Sequence, residues 1–250
     1  MTEQTITEQK ITVQTERGQM PVHLTHPIDA PDAPLVVLFM DAPGIRPALH
    51  DHARRLTAAG YRTALPDLYY TLAADDLPRP ERLSGGDPAE FERMAAAVRT
   101  LQDAEIIQDT AELLAVVDPG DRWACVGFCA GGRFGLRAAT RFGGELAAAA
   151  LLHPSRLVTD EPDSPHRELA GVTADLYLGF GENDHVTPLS VIPPLRDALD
   201  AQRVPHRIEI IDGADHGFTM PGMPAYNERA AERAWAGTLA VLGERLPAGG

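Results

Sequence analysis

Cys129 is one of only two cysteines in 250 residues, and it sits in the stretch Gly127-Phe128-Cys129-Ala130-Gly131-Gly132. An apolar run of strand character, 123–126, leads into this stretch, and 133–139 reads as a helix. A tight strand-to-helix bend is the way a fold holds a nucleophile out toward a substrate. Such a bend forces the nucleophile to positive φ and presses the flanking backbones together, so glycine is required at 127 and 131. The sulfur then faces a helix N-terminus, whose free N–H groups and dipole favour a thiolate and an oxyanion. The competing reading is a buried structural thiol in a Gly-rich turn, which chance flanking glycines would also produce.

A free thiol is only a few per cent ionised at neutral pH, so a nucleophilic Cys129 needs a base. His216, in Asp215-His216-Gly217-Phe218, has the right place for one, on a loop after the strand-like run 206–211. A carboxylate must then hold the imidazole in one tautomer, and Asp184, in Gly181-Glu182-Asn183-Asp184-His185, follows the run 174–180. Glu182 is the alternative acid, whereas Asp215 adjoins the histidine too closely to orient it. Of the eight other histidines, His50 and His52 lie two apart on a helix and do not face one another. His153 follows a buried strand and could line a pocket, and His185 reads as packing. Backbone N–H groups of Ala130 and Ala42 are the expected oxyanion donors.

The elements that must position these residues follow from hydrophobic patterning. Residues 6–26 alternate about a turn at 16–18 and read as a β-hairpin. The continuous apolar runs 35–40 and 146–152 mark strands covered on both faces, as in a parallel sheet. Helices are expected over 47–59, 87–101, 104–117, 192–202 and 227–242, with Asp87 as a cap and Pro88 in the first turn. Strands alternating with helices predict an α/β fold with a mostly parallel sheet, helices on both faces and right-handed crossovers. Nucleophile, acid and histidine in that chain order are the order of α/β-hydrolases. Residues 71–88, rich in Pro, Gly and Asp, are expected to form an irregular segment, either a loop over the site or a solvated connector. With no linker or repeat, one domain spanning 1–250 is expected.

Composition excludes several partners. With 22 basic against 36 acidic residues, the net charge of −14 gives nothing to attract nucleic acid or an anionic membrane. The sequence opens on Met1-Thr2-Glu3-Gln4-Thr5 without the basic and apolar regions of a leader, and its longest apolar runs fall far short of a membrane span. A cytoplasmic setting is expected. Cys125 and Cys129 lie roughly 13 Å apart along a strand, too far for a disulfide. They also lack metal-ligand spacing, so no metal is expected.

Gly127-Phe-Cys-Ala-Gly-Gly132, Gly181-Glu-Asn-Asp-His185, Asp215-His-Gly-Phe218 and Pro66-Asp-Leu-Tyr69 together resemble the dienelactone hydrolases, over most of the chain from Leu35 to Leu242. The resemblance implies a cofactor-free hydrolase with Cys129, Asp184 and His216 as its triad. It also implies an acidic residue in contact with the cysteine after the first core strand, here Asp41 in place of the family's glutamate, and arginines for a substrate carboxylate. Arg46, Arg79 and Arg82 are the candidates, since Gly217-Phe218-Thr219-Met220 contains none. The expected substrate is a small activated ester or lactone, and the expected state a monomer or weak homodimer. An acyltransferase using the same acyl-cysteine, or a non-catalytic ligand-binding member of the fold, are the competing functions. A thiol redox role is disfavoured by the lack of Cys-x-x-Cys.

Overall fold

Apolar runs that carry no polar alternation can bury both faces only in the middle of a sheet, and that is where they lie. In the computed structural model, which describes residues 5–83 and 85–248, they are β3 (Leu35–Phe39), β5 (Trp123–Phe128), β6 (Leu146–Leu152) and β7 (Asp175–Gly181). Every residue of β3, β5 and β6 is buried. The N-terminal residues 1–4, read above for a leader, lie outside the described residues.

The hairpin is β1 (Ile6–Thr15) and β2 (Gly18–Pro27), and the remaining strands are β4 (Arg62–Pro66) and β8 (His206–Ile211). Together they form one eight-stranded sheet in the order β1-β2-β4-β3-β5-β6-β7-β8. The hairpin joins β4 antiparallel, and every pairing from β4 to β8 is parallel. The expected α/β-hydrolase architecture, with a mostly parallel sheet and an N-terminal hairpin, is therefore what the chain adopts.

The helices are α1 (Pro47–Ala58), α2 (Pro80–Leu83), α3 (Pro88–Thr100), α4 (Asp103–Val117), α5 (Ala130–Phe142), α6 (Ile192–Ala201) and α7 (Glu228–Arg245). Side-chain alternation in β5–β7 sorts two faces. Cys125 and Leu151 point to α5, where they meet Gly135, while Phe128 and Tyr177 point to the opposite face. There Phe128 meets His52 of α1 and Trp235 of α7, and Tyr177 meets Gly237. Asp87 caps α3 by accepting from the Ala89 N–H, and Asn227 caps α7 by accepting from that of Ala230.

Residues 71–88 are less irregular than their composition suggests. They contain a 3₁₀ turn at Ala74–Asp76 and the short α2, and Leu83 is fully buried. The segment is pinned to α3 because the Arg79 N–H donates to the buried Glu90 carboxylate. Proline at position 80 stands at the first position of α2, where a helix tolerates it, and so hides this turn from a reading of composition.

Candidate active site

Cys129, Asp184 and His216 reach one end of the sheet because each follows the C-terminal end of a parallel strand, β5, β7 and β8 respectively. Open α/β sheets bind their ligands at that end.

Cys129 lies between β5 and α5 with φ 53° and ψ −114°, outside the regions comfortable for a side chain with a Cβ. The surrounding contacts hold it there. Its N–H donates to the Leu152 carbonyl at 3.1 Å, and its carbonyl accepts from Gly132 and Ser155 N–H groups, both at 3.0 Å. The glycine requirement is steric. A Cβ on Gly127 would stand 2.1 Å from the Gly131 carbonyl oxygen, and one on Gly131 would stand 2.2 Å from that of Phe39. Absence of those two carbons lets the elbow rest directly on the end of β3. The loop Asp41-Ala42 is thereby brought beside the start of α5. Ala130 is the first residue of α5, so its N–H has no intrahelical partner, and no hydrogen bond among the described residues uses that of Ala42.

Asp184 is held by its own loop, where Oδ1 accepts from the Val186 and Thr187 N–H groups at 2.9 and 2.7 Å. His216 Nδ1 donates to the same carboxylate, 3.0 Å from Oδ1 and 2.8 Å from Oδ2. This leaves Nε2 as the proton acceptor of the neutral ring. Nε2 is buried and makes no well-formed hydrogen bond. Burial alone would push the His216 imidazole down, but the Cys129 charge and the Asp184 hydrogen bond together outweigh it and push the imidazole up to about 10. A negative charge on the sulfur thus favours the protonated ring.

The alternatives fall outside this arrangement. Glu182 is exposed and accepts from the Gly213 N–H, so it braces the β8 loop instead of the ring. Asp215 accepts from the His216 N–H at 2.6 Å and from His185 Nδ1 at 2.7 Å. His185 is exposed, so it is a surface partner of Asp215 and not a packed side chain. His50 meets His23 edge to face at 4.4 Å, away from the elbow.

His153 has a place that its sequence position only hinted at. It is fully buried at φ 38°, and its ring stands edge to face with that of His216 at 5.2 Å. Its Nε2 lies 2.8 Å from Thr219 Oγ1, while the Thr219 carbonyl accepts from His52 Nε2 at 3.0 Å. Burial holds both rings neutral, bringing His52 down to about 4 and His153 well below the ordinary imidazole value.

Asp41 and Arg46 meet each other. The guanidinium grips the carboxylate with two parallel bonds, Nη1 to Oδ1 at 2.5 Å and Nη2 to Oδ2 at 2.7 Å, and Nη1 also reaches the Gly44 carbonyl at 3.0 Å. Both side chains are buried. A cavity of about 460 Å³ lies beside the pair, lined by Ile45, Arg46, Pro47, Pro80, Glu81 and Met223. Tyr69, from the Pro66-Asp-Leu-Tyr69 motif, donates its hydroxyl to the Ala42 carbonyl at 2.7 Å and so braces the same loop. Burial, with the charges of Asp41 and Cys129 nearby, raises its phenol far above the ordinary range. Sequence reasoning assigned no role to Tyr69, Ser155 or Thr219, and the one available signal was the position of Tyr69 and Ser155 three residues beyond strand ends. Arg82 is exposed and Arg79 lies in the segment before α2.

No helix among the described residues is long and apolar enough to cross a membrane, and no group of three or more metal-binding side chains occurs among them. A carboxymethylenebutenolidase of Rhodococcus opacus is 26% identical over 249 residues, covering 96% of this chain and 93% of its own. The structure of a Klebsiella pneumoniae protein superposes with a TM-score of 0.82 at 22% identity, covering 96% of this chain and 99% of that one. That of the dienelactone hydrolase from Anabaena variabilis gives 0.65 at 21%, covering 96% and 99%. At those identities the two structures show a shared fold. The description of the dienelactone hydrolase family matches residues 20–246, nearly the whole chain. The chain belongs to the dienelactone hydrolase family and is a hydrolase of that ester- and lactone-cleaving group.

Proposed function

We propose that the protein is a cysteine-dependent hydrolase of activated carboxylic esters or lactones that works through an acyl-cysteine. The observation that carries the reading is the placement of His216. Its Nδ1 is committed to Asp184, its buried Nε2 makes no other well-formed hydrogen bond, and the nearby Cys129 sulfur raises its proton affinity.

The sulfur, as thiolate, attacks the ester carbonyl, and the carbonyl electron pair moves to oxygen. The N–H groups of Ala130 and Ala42 receive that oxyanion. Collapse breaks the carbon–oxygen bond, and the departing oxygen takes the proton held on His216 Nε2. Water, deprotonated by the same nitrogen, then attacks the acyl-cysteine, and the carbon–sulfur bond breaks to restore the thiolate. Asp184 holds the ring through both steps.

Sulfur chemistry bounds the substrate. The group of lower basicity leaves faster, so a tetrahedral adduct from a plain alkyl ester mostly expels Cys129 and returns to substrate. Enol esters, aryl esters, strained lactones and thioesters compete on better terms. The ion pair of Asp41 with Arg46 leaves a closed, neutral wall beside the oxyanion loop.

Mixing the enzyme with p-nitrophenyl acetate tests the reading: one acetyl group per chain on Cys129, turnover far above that on ethyl acetate, and loss of turnover in His216→Ala. Wild-type turnover in either Cys129→Ala or His216→Ala would remove the mechanism.

A further inference from the structure

Beyond β6 the chain runs His153-Pro154-Ser155, and each residue of this turn touches the elbow or the ring beside it. Pro154 packs on Gly132, where an added Cβ would come within 2.6 Å of the proline Cβ. The Ser155 N–H donates to the Cys129 carbonyl at 3.0 Å. These two contacts fix the backbone of Ser155 against the nucleophile's own peptide. Its side chain is consequently aimed, with Oγ 3.8 Å from Cys129 Sγ, within the longer reach that sulfur allows. Ser155 is 8% exposed, and among the described residues the sulfur is the only hydrogen-bond partner of its hydroxyl. A buried hydroxyl seeks an acceptor for its proton, and no carbonyl or carboxylate offers one here.

We propose that Ser155 is a further catalytic residue, donating a hydrogen bond from its hydroxyl to the Cys129 thiolate. The inference rests on the reading of Cys129 as the nucleophile and adds a determinant of leaving-group selectivity. A donor to sulfur stabilises its anion against a proton and against an acyl carbon alike. In the tetrahedral adduct, return to substrate breaks the carbon–sulfur bond, places the electron pair on sulfur and restores the carbonyl. Forward collapse breaks the carbon–oxygen bond and places the pair on the alcohol oxygen, which takes the His216 proton. The Ser155 donor favours the first route, so only leaving groups that depart readily go forward.

Alkylation by iodoacetamide reads the thiolate without any acyl transfer, since sulfur displaces iodide in one step. Its rate would be followed against pH in the wild type, Ser155→Ala and Ser155→Thr. A hydrogen bond to an ionised group is worth enough to move the alkylation midpoint upward by about one pH unit in Ser155→Ala, with Ser155→Thr staying near the wild type. The preference for p-nitrophenyl acetate over phenyl acetate, as a ratio of kcat/KM values, would narrow several-fold in Ser155→Ala. An unchanged midpoint in Ser155→Ala, or equal displacement in both variants, overturns the proposal. A shifted midpoint in a protein that hydrolyses neither ester would leave the hydrogen bond standing and remove the esterase reading instead.

Discussion

His216 and His153 lie 5.2 Å apart, ring against ring, yet their surroundings drive their proton affinities in opposite directions. Both are largely buried, and burial pushes each toward the neutral form. His216 answers that penalty with the Cys129 sulfur on one side and the Asp184 carboxylate on the other. His153 has only the Thr219 hydroxyl, and behind it His52 stacks on Phe128 at 5.0 Å with Trp235 tilted beside it at 5.1 Å. The site is therefore two layers: a charged one at the strand ends and a neutral aromatic one beneath. Burial acts on both layers in the same direction and does not separate their proton affinities. What separates them is whether a charge has been supplied to meet the cost of burial.

Removing charge from the upper layer is the most severe way to break this contrast. Asp184→Asn keeps the shape but offers an amide where the ring needs an acceptor, and turnover of p-nitrophenyl acetate should drop by about 10⁴-fold with the fold intact. A drop below tenfold would place the ring's orientation elsewhere. Asp41→Asn strands the Arg46 guanidinium, and urea unfolding should show a loss of about 3–5 kcal/mol. A change under about 1 kcal/mol would mean that water reaches Arg46.

The lower layer is probed by acid. The His52 value of about 4, below the unfolded 6.5, means that the unfolded chain binds the extra proton first. Stability contributed by neutral His52 is complete above pH 6.5 and declines by roughly 3 kcal/mol as pH falls to 4. His52→Gln can still donate to the Thr219 carbonyl but does not titrate, so its stability should vary less across that window. A parallel pair of curves would show that His52 is not the group responsible. For His216 the sign reverses. Its folded value near 10 stabilises the protein fully below pH 6.5 and progressively less as pH rises toward 10.

The upper layer was far more legible in the sequence than the lower one. Cys129, Asp184 and His216 each stand just past an apolar run, so strand ends and residue types sufficed to bring them together on paper. Gly127 and Gly131 were legible because only one amino acid satisfies a bend that tight. Asp41 and Arg46 were each expected to face the nucleophile or substrate, but a five-residue separation across a turn gives no rule for pairing them. Helical residues three or four apart would have done so. The layer formed by His52, His153 and Thr219 draws on α1, the end of β6 and the loop after β8. No spacing records it, because 167 residues separate one hydrogen-bonded pair of its members. Ser155 was hidden for the same reason: its partner lies 26 residues away, just past the end of another strand.

The backbone contact between Gly131 and the Phe39 carbonyl has a mechanical consequence. Side chains between two elements act as compliant spacers, and here there are none. The Phe39 peptide and the start of α5 abut, so a displacement of the end of β3 is passed directly to the bend that carries the sulfur. A larger residue at position 131 would have to push the two backbones apart, and the sulfur would move with them.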